Sequence, residues 1–144
     1  MMDSTYYLEF KKYSGFLKYF KLLLDPGYIL LKLVRLYIAT YKLGTIGVLP
    51  SRLLWLFVYF LFSCDISPRA KIKGRIIFPH PIGIVIGEGC VIDGSNVIYQ
   101  GVTLGINKGC YPQIKDVVIY PSSVIAGCVE LDGDVVPAMS RIIV

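Results

Sequence analysis

The feature that most constrains the fold is an apolar side chain that returns every six residues through the second half of the chain. The series begins just after Asp65, slips by two residues beside His80, the only histidine, and pauses at a polar loop, residues 105–113. Its positions up to that loop are Ile66, Ile72, Phe78, Ile86, Ile92, Ile98 and Leu104. A period of six fits neither an α-helix nor a plain strand. It predicts a chain that turns corners and stacks on itself as a parallel β-helix.

The repeat resumes after the loop and continues to the last residues of the sequence. Its later positions are Ile114, Ile119, Ile125, Leu131, Val136 and Ile142. The two parts together make about a dozen hexads, or about four coils at three hexads per coil. Gly, Pro, Ser, Asp and Asn fill much of the sequence between these positions, and such residues favour turns. We therefore assign residues 64–144 to one mainly β domain.

Residues 1–63 are predicted to form an α-helical segment in front of this domain. Apolar and basic residues alternate at helical spacing over residues 5–24, which predicts a first helix. A second helix is expected from Tyr28 to Leu43. Gly44–Pro50 is then predicted to be a loop, and Ser51 to be the N-cap of a third, almost wholly apolar helix that ends at Cys64.

The positive charge of the chain is concentrated in this helical segment. Lys and Arg number 15 against 10 Asp and Glu, and residues 1–63 account for the whole net charge of +5. The repeat domain is therefore not expected to bind nucleic acid, whereas the helical segment suits an anionic surface such as lipid headgroups. The uncharged run at 53–64 is shorter than the roughly 20 residues that a membrane-spanning helix needs. We expect the helices to pack on the repeat domain or sister subunits, or to lie in a membrane interface.

The cysteines and the single histidine limit which metal sites and which cellular compartments can be expected. The four cysteines form no CxxC pair, and one histidine cannot complete a three-histidine zinc site, so no metal is expected. Cys90 and Cys128 occupy small-residue positions of the repeat and are predicted to pack in the core. The polar opening stretch predicts no cleavable signal. The expected location is the reducing cytoplasm, with the inner face of the membrane as a second possibility.

A series of motifs gives the repeat a family likeness. The segment CDISPRAKIKGRIIFPHPIGIVIGEGCVID at 64–93, followed by VIYQGVTLG at 97–105, resembles the hexapeptide-repeat acetyltransferases. Within that group it is similar to the serine acetyltransferases and to their relatives that O-acetylate capsular and exopolysaccharide sugars. The resemblance implies a left-handed parallel β-helix with an N-terminal helical segment. It also implies a homotrimer with active sites between neighbouring subunits, and acetyl-CoA as the donor.

The same resemblance implies roles for particular residues. His80 stands where the family has its general base, and Asp65 stands where it has the carboxylate that orients this base. Glu88 matches a glutamate of the family's catalytic site. The coil and loop that bind CoA in the family correspond here to Gln100, Gly101, Thr103, Gly105 and Lys108.

The chemistry of the histidine and the aspartate follows from elementary acid–base arguments. An alcohol keeps its proton near neutral pH, so its attack on a thioester needs a base that removes the proton as the new bond forms. A neutral imidazole is well suited to this near neutral pH, and a carboxylate on its other nitrogen fixes the tautomer. The alternative is structural: His80 would be a surface residue at a coil corner, and Asp65 a turn residue.

The sequence departs from the serine acetyltransferase pattern at two places. Pro79 stands where that branch has an aspartate, and Cys110-Tyr111-Pro112 stands where it has Arg-His-Pro. The chain thus lacks groups that would select the ammonium and carboxylate of an amino acid. These departures predict a different acceptor, a hydroxyl of a (poly)saccharide or its precursor, with Tyr99 and Tyr111 stacked on the sugar ring. The alternatives are a serine O-acetyltransferase of cysteine biosynthesis and a non-catalytic β-helical scaffold.

Overall fold

The computed structural model of the protein describes residues 24–144, so the helix predicted over 5–24 lies outside the described residues apart from its last position. Two helices come first, α1 (Pro26–Tyr41) and α2 (Thr45–Phe62). Thirteen short strands follow: β1 (Asp65–Ile66), β2 (Lys71–Ile72), β3 (Arg75–Ile77), β4 (Val85–Ile86), β5 (Val91–Asp93), β6 (Ser95–Ile98), β7 (Thr103–Gly105), β8 (Gln113–Lys115), β9 (Val118–Ile119), β10 (Val124–Ala126), β11 (Glu130–Asp132), β12 (Val135–Val136) and β13 (Arg141–Ile143).

The strands form three parallel sheets, in which each strand pairs with the one three places further along the chain. Sheet A has the order β1-β4-β7-β10-β13, sheet B has β11-β8-β5-β2, and sheet C has β12-β9-β6-β3. Three consecutive strands therefore make one coil, and about four coils stack into a parallel β-helix with three faces. The predicted mainly β fold with helices in front of it is confirmed.

The residues that repeat every six positions face the inside of the coils. In sheet A, Ile66, Ile86, Leu104, Ile125 and Ile142 are in register on successive coils. The first four of these side chains are at most 1% exposed. Each inward side chain packs on its equivalents in the neighbouring coils, which removes its apolar surface from water without a second layer of structure.

Polar bonds fix α1 to the first coil. The helix begins and ends two residues earlier than predicted. Asp25 is its N-cap, and the Asp25 carboxylate accepts a hydrogen bond from the Tyr28 N–H at 2.7 Å. Tyr37 is fully buried, and its hydroxyl donates to the carbonyl oxygen of Ile66 at 2.6 Å. Burial is the largest cause that raises the pKa of Tyr37, so its phenol remains a donor at physiological pH.

The structure of α2 differs from the prediction. Gly44–Pro50 is not a loop, because α2 already includes its last six residues. Ser51 is not an N-cap either: it is buried within the helix, and its hydroxyl donates to the Tyr37 carbonyl at 2.8 Å. Packing on α1 overrides the local signals here, since Gly47 lies so close to the carbonyl of Thr40 that a Cβ would not fit. Within residues 24–144, α2 is the one helix whose length and composition would let it cross a membrane.

Shortening an inward side chain should destabilise the stack. We expect Ile92→Ala to lower the free energy of unfolding by about 3 kcal/mol, because the substitution leaves a cavity between coils. Ile106→Ala is the matched control: its side chain is 55% exposed, and we expect a change within about 0.5 kcal/mol. Chemical denaturation of both variants measures the difference. Equal losses would contradict the assignment of the stacked core.

Candidate active site

The residues with predicted site roles lie on one side of the β-helix, on sheet A and the two corners beside it. The corner between sheets C and A, here called the histidine corner, contains residues 78–84 and 99–102. The corner between sheets A and B, here called the loop corner, contains residues 67–70, 87–90 and 106–112. Sheet A joins the two corners.

The histidine corner brings three of the predicted residues together. His80 is exposed, and its ring centroid lies 6.3 Å from that of Tyr99 on the next coil. The ring of Tyr120 stacks on that of Tyr99, with 5.2 Å between the ring centroids. The N–H of Gly101 donates to the carbonyl of Ile82 at 3.0 Å, which places residues 99–101 directly on the coil next to His80. No side chain within residues 24–144 hydrogen-bonds the imidazole, so its nitrogens are accessible to a ligand.

Asp65 lies beside this corner on sheet A. The thiol of Cys64 contacts the carbonyl oxygen of Pro81 at 3.5 Å, so Asp65 and His80 are each one residue away from that contact. The indole N–H of Trp55, on α2, donates to Asp65 Oδ1 at 3.1 Å. No hydrogen bond joins the carboxylate to the imidazole in the part of the chain that the structure describes. The structure thus places the pair on adjacent coils, and the orienting role of Asp65 stays a prediction.

Sheet A carries Thr103 in the same outward row as Asp65. Asp65, Val85 and Thr103 are in register on three successive coils, each followed by a residue that points inward. Side chains alternate between the two faces of a strand, so this row faces outward between the two corners. Gly105 ends the strand that carries Thr103 and leads into the loop corner.

The loop corner contains a charged pair. Glu88 accepts a hydrogen bond from Arg69 Nη1 at 3.0 Å, and Arg69 Nε donates to the Tyr41 hydroxyl at 2.8 Å. The ring of Tyr111 covers residues 87–89, where a Cβ on Gly89 would collide with it. Loss of hydration, followed by the negative charge of Glu88, raises the pKa of the Tyr111 phenol. Glu88 therefore lies across sheet A from the histidine corner, and its catalytic role stays a prediction.

A disulfide between Cys110 and Cys128 ties the loop at this corner to the next coil. The prediction that Cys128 packs in the core is therefore wrong, because its position faces outward below the loop, where it meets Cys110. Cys90 is buried as predicted, and burial raises the pKa of its thiol to about 11, so it stays protonated at neutral pH. The two bonded cysteines are 18 residues apart, about one coil, and this spacing was the signal that could have revealed the pair.

The CoA-binding residues implied by the resemblance include one buried polar atom without a partner. Gln100 Oε1 makes no hydrogen bond to the residues that the structure describes. Buried acceptors are nearly always paired, so this oxygen suits a donor supplied by a ligand, such as an amide N–H. Gly101, at φ +67°, turns the corner beside it, and Lys108 lies exposed at the tip of the loop, where its charge suits phosphate groups. These residues fit an extended, anionic ligand that carries amides.

Trp55 and Arg69 contact the candidate site residues Asp65 and Glu88, and the sequence did not single them out. Arg69 is 19 residues from Glu88, so a comparison of equivalent corners on successive coils would have paired the two charges. No such signal exists for Trp55, because the packing of α2 against the first coil has no counterpart elsewhere in the repeat.

The sequence is similar to serine acetyltransferases. It is 42% identical over 81 residues to the enzyme of Staphylococcus epidermidis, a match that covers 53% of this chain and 38% of that protein. The match to the enzyme of Staphylococcus aureus is 38% identical over 81 residues, with the same coverage. The matched region thus spans well under half the length of these curated relatives. No protein-family model matches the chain.

The structure is similar to serine acetyltransferases as well. A serine acetyltransferase in complex with CoA superposes with a TM-score of 0.72 at 30% identity, over 80% of this chain and 48% of that chain. The fold is shared with serine acetyltransferases. The Neisseria gonorrhoeae enzyme in complex with serine gives a TM-score of 0.65 at 28% identity, over 81% of this chain and 52% of that one. The predicted likeness to hexapeptide-repeat acetyltransferases is therefore supported.

The predicted saccharide acceptor is wrong. The relatives named above are serine acetyltransferases, one of them solved with serine, and they better support the alternative of a serine acceptor. The prediction rested on two departures, Pro79 and Cys110-Tyr111-Pro112, and did not consider that Arg69 pairs with Glu88 at the loop corner. One ring face of each tyrosine predicted to stack on a sugar is also covered, that of Tyr99 by Tyr120 and that of Tyr111 by residues 87–89.

Alkylation under denaturing conditions should count the free cysteines. Without reductant we expect two alkyl groups per chain, on Cys64 and Cys90, because Cys110 and Cys128 are bonded to each other. After reduction we expect four, as measured by the mass of the intact protein. Four groups without prior reduction would contradict the disulfide.

Proposed function

We propose that the protein is an acetyl-CoA-dependent serine O-acetyltransferase, acting as a homotrimer with its sites between subunits. The observation that carries the proposal is the exposed His80, which lies one coil from Gln100 and Gly101 and on the coil next to Asp65. This arrangement occurs on a chain that is 42% identical over 81 residues to a serine acetyltransferase. The trimer and the roles of individual residues rest on the family resemblance.

In the proposed reaction His80 acts as the general base. Its imidazole takes the proton of the serine hydroxyl while the oxygen attacks the carbonyl carbon of the thioester. The carbon–sulfur bond then breaks, and the imidazolium returns the proton to the departing thiolate. The products are O-acetylserine and free CoA, so atoms and charge balance and no other reactant is needed.

Asp65 serves this base as the orienting carboxylate. Trp55 holds one of its oxygens, Oδ1, in place, and Oδ2 accepts the N–H of the imidazole in the proposed complex. A carboxylate in this position selects the tautomer whose other nitrogen can take a proton, and it stabilises the imidazolium that forms. Trp55 is in this scheme a positioning residue.

Acetyl-CoA is placed along the coil after the histidine corner. Gln100 Oε1 accepts an amide N–H of the pantetheine, and Gly101 and Gly105 allow the ligand to lie close to the backbone. Thr103 provides a hydroxyl on the outward row of sheet A. Lys108 attracts the phosphates from the tip of the loop.

The acceptor is a zwitterion, and the loop corner supplies both signs of charge. Arg69 and Glu88 form a pair with 60% and 50% of their side chains exposed, so both charges are accessible to a ligand. In the proposed trimer the loop corner of one subunit faces the histidine corner of its neighbour, so Glu88 binds the ammonium of serine and Arg69 its carboxylate while the neighbouring subunit supplies the histidine base. Charge-assisted hydrogen bonds of this kind are stronger than neutral ones.

The reaction can be tested with the full chain, acetyl-CoA and L-serine. We expect release of free thiol together with O-acetylserine, detected by mass spectrometry. His80→Ala should reduce kcat by about 10²- to 10⁴-fold, since that is the usual contribution of a general base. Gln113→Ala, on the outer face of sheet B, is the control and should leave the rate unchanged. Absence of serine turnover by the unmodified chain would overturn the proposal.

Glu88→Gln separates the binding role from a catalytic one. We expect KM for serine to rise about tenfold with kcat and the KM for acetyl-CoA nearly unchanged, because a charged hydrogen bond contributes about 1.5–3 kcal/mol. Glu130→Gln, an exposed glutamate on sheet B, is the matched control. A fall in kcat at unchanged KM would instead assign Glu88 to the chemistry.

A further inference from the structure

The outward face of α2 carries large apolar side chains along its whole length. They recur at spacings of three and four residues, so they form one stripe. The members of this α2 stripe, which are 39–88% exposed, are Ile46, Leu49, Leu53, Leu56, Phe57 and Phe60. Monomeric soluble proteins seldom leave so continuous an apolar surface in water.

The opposite face of α2 is already occupied. Gly47, Ser51 and Val58 are buried there, and Ser51 bonds to Tyr37 on α1. The helix therefore cannot hide its stripe by rotating. From this we propose that α2 docks the protein on an anionic phospholipid bilayer, with the helix in the plane of the interface and the stripe among the acyl chains.

The edge of the stripe has the composition of a membrane interface. Arg52, Trp55 and Tyr59 follow one another at helical spacing between the stripe and the face packed on α1. The Arg52 guanidinium lies 5.6 Å from the Trp55 ring, and the Trp55 and Tyr59 rings are 5.6 Å apart. Tryptophan, tyrosine and long cationic side chains prefer the headgroup region of a bilayer. The indole N–H of Trp55 is already bonded to Asp65, so its ring can lie at this depth without a partner from water.

This distribution favours lipid over a second protein surface. In protein–protein interfaces Trp, Tyr and Arg concentrate in the buried centre, whereas leucine contributes less than its share. In α2 the order is reversed, with Leu, Ile and Phe in the centre and Arg52, Trp55 and Tyr59 along one edge. A hydrocarbon phase bordered by headgroups matches that order.

The charge of the N-terminal part specifies anionic lipid. Residues 1–63 contain eight Lys and Arg against three acidic residues. α2 itself has no acidic residue, and Arg52 is its single charge. Each basic residue near an anionic membrane contributes about 1 kcal/mol to binding, which adds to the burial of the stripe.

The contacts of α1 decide between lying on the membrane and crossing it. Tyr37 and Arg35 bond to the carbonyls of Ile66 and Gly74, so α1 is fixed to the β-helix while it packs along α2. A spanning α2 would draw the charged α1 and the first coil into the hydrocarbon, where charges and open strand edges are costly. If α2 instead lies in the plane of the membrane interface, only the α2 stripe is transferred from water into the hydrocarbon.

Trp55 is the only tryptophan of the chain and reports on this docking. The full chain is mixed with vesicles of phosphatidylcholine and phosphatidylglycerol at 3:1, with or without bromine on the acyl chains, and with phosphatidylcholine vesicles alone. We expect the brominated anionic vesicles to quench Trp55 fluorescence, and the vesicles without phosphatidylglycerol to bind at least tenfold more weakly. No quenching at any lipid concentration would overturn the proposal.

A pair of variants identifies the surface. Leu53→Gln with Phe60→Gln should weaken vesicle binding at least tenfold, whereas Met139→Gln, a control on an 80% exposed side chain at the other end of the β-helix, should leave it unchanged. Thermal unfolding confirms that the variants fold. If the double variant instead lowers the mass of the assembly in solution and binds vesicles as before, the stripe packs on a second copy and the proposal fails. Serine turnover without vesicles is independent of this result.

Discussion

The structure depends on the register between successive coils. Strands donate backbone hydrogen bonds to the coil that follows them, as when the N–H of Ser67 donates to the carbonyl of Ile86 and that of Gly87 to the carbonyl of Leu104. The same register places an aliphatic side chain above its equivalent, so one geometric condition satisfies the backbone and fills the core together. A slip of one residue on any coil would expose the inward row and bury the outward one.

The corners can vary because the strands are so short. A strand of two to four residues fixes only the stack, and the corners may lengthen without disturbing it. The histidine corner has two extra residues and the loop corner has the long segment 106–112, which the Cys110–Cys128 bond holds against the next coil. The proposed base, the charged pair and the CoA residues all lie at these two irregular corners or on the sheet between them.

Features that follow the six-residue period could be predicted from the sequence, whereas features that depend on the packing of the helices could not. The coil number, the inward rows and the position of His80 could be predicted because a period of six maps directly onto the stack. The Arg69–Glu88 pair and the disulfide obey the same spacing of about one coil, so they were predictable in principle. The start of α2 and the bond from Trp55 to Asp65 were not, because they arise from helix packing that overrides glycine, proline and capping signals.

Only Ser63 and Cys64 separate the end of α2 from Asp65, and neither behaves as a linker. Ser63 adopts the left-handed conformation that ends the helix, and Cys64 is fully buried. A surface that holds α2 would therefore also set the height and tilt of sheet A. Substrates could then reach the outward row only from the side that faces away from that surface. The protein would meet them by diffusing along the surface, within a thin layer of water, rather than by tumbling freely in solution.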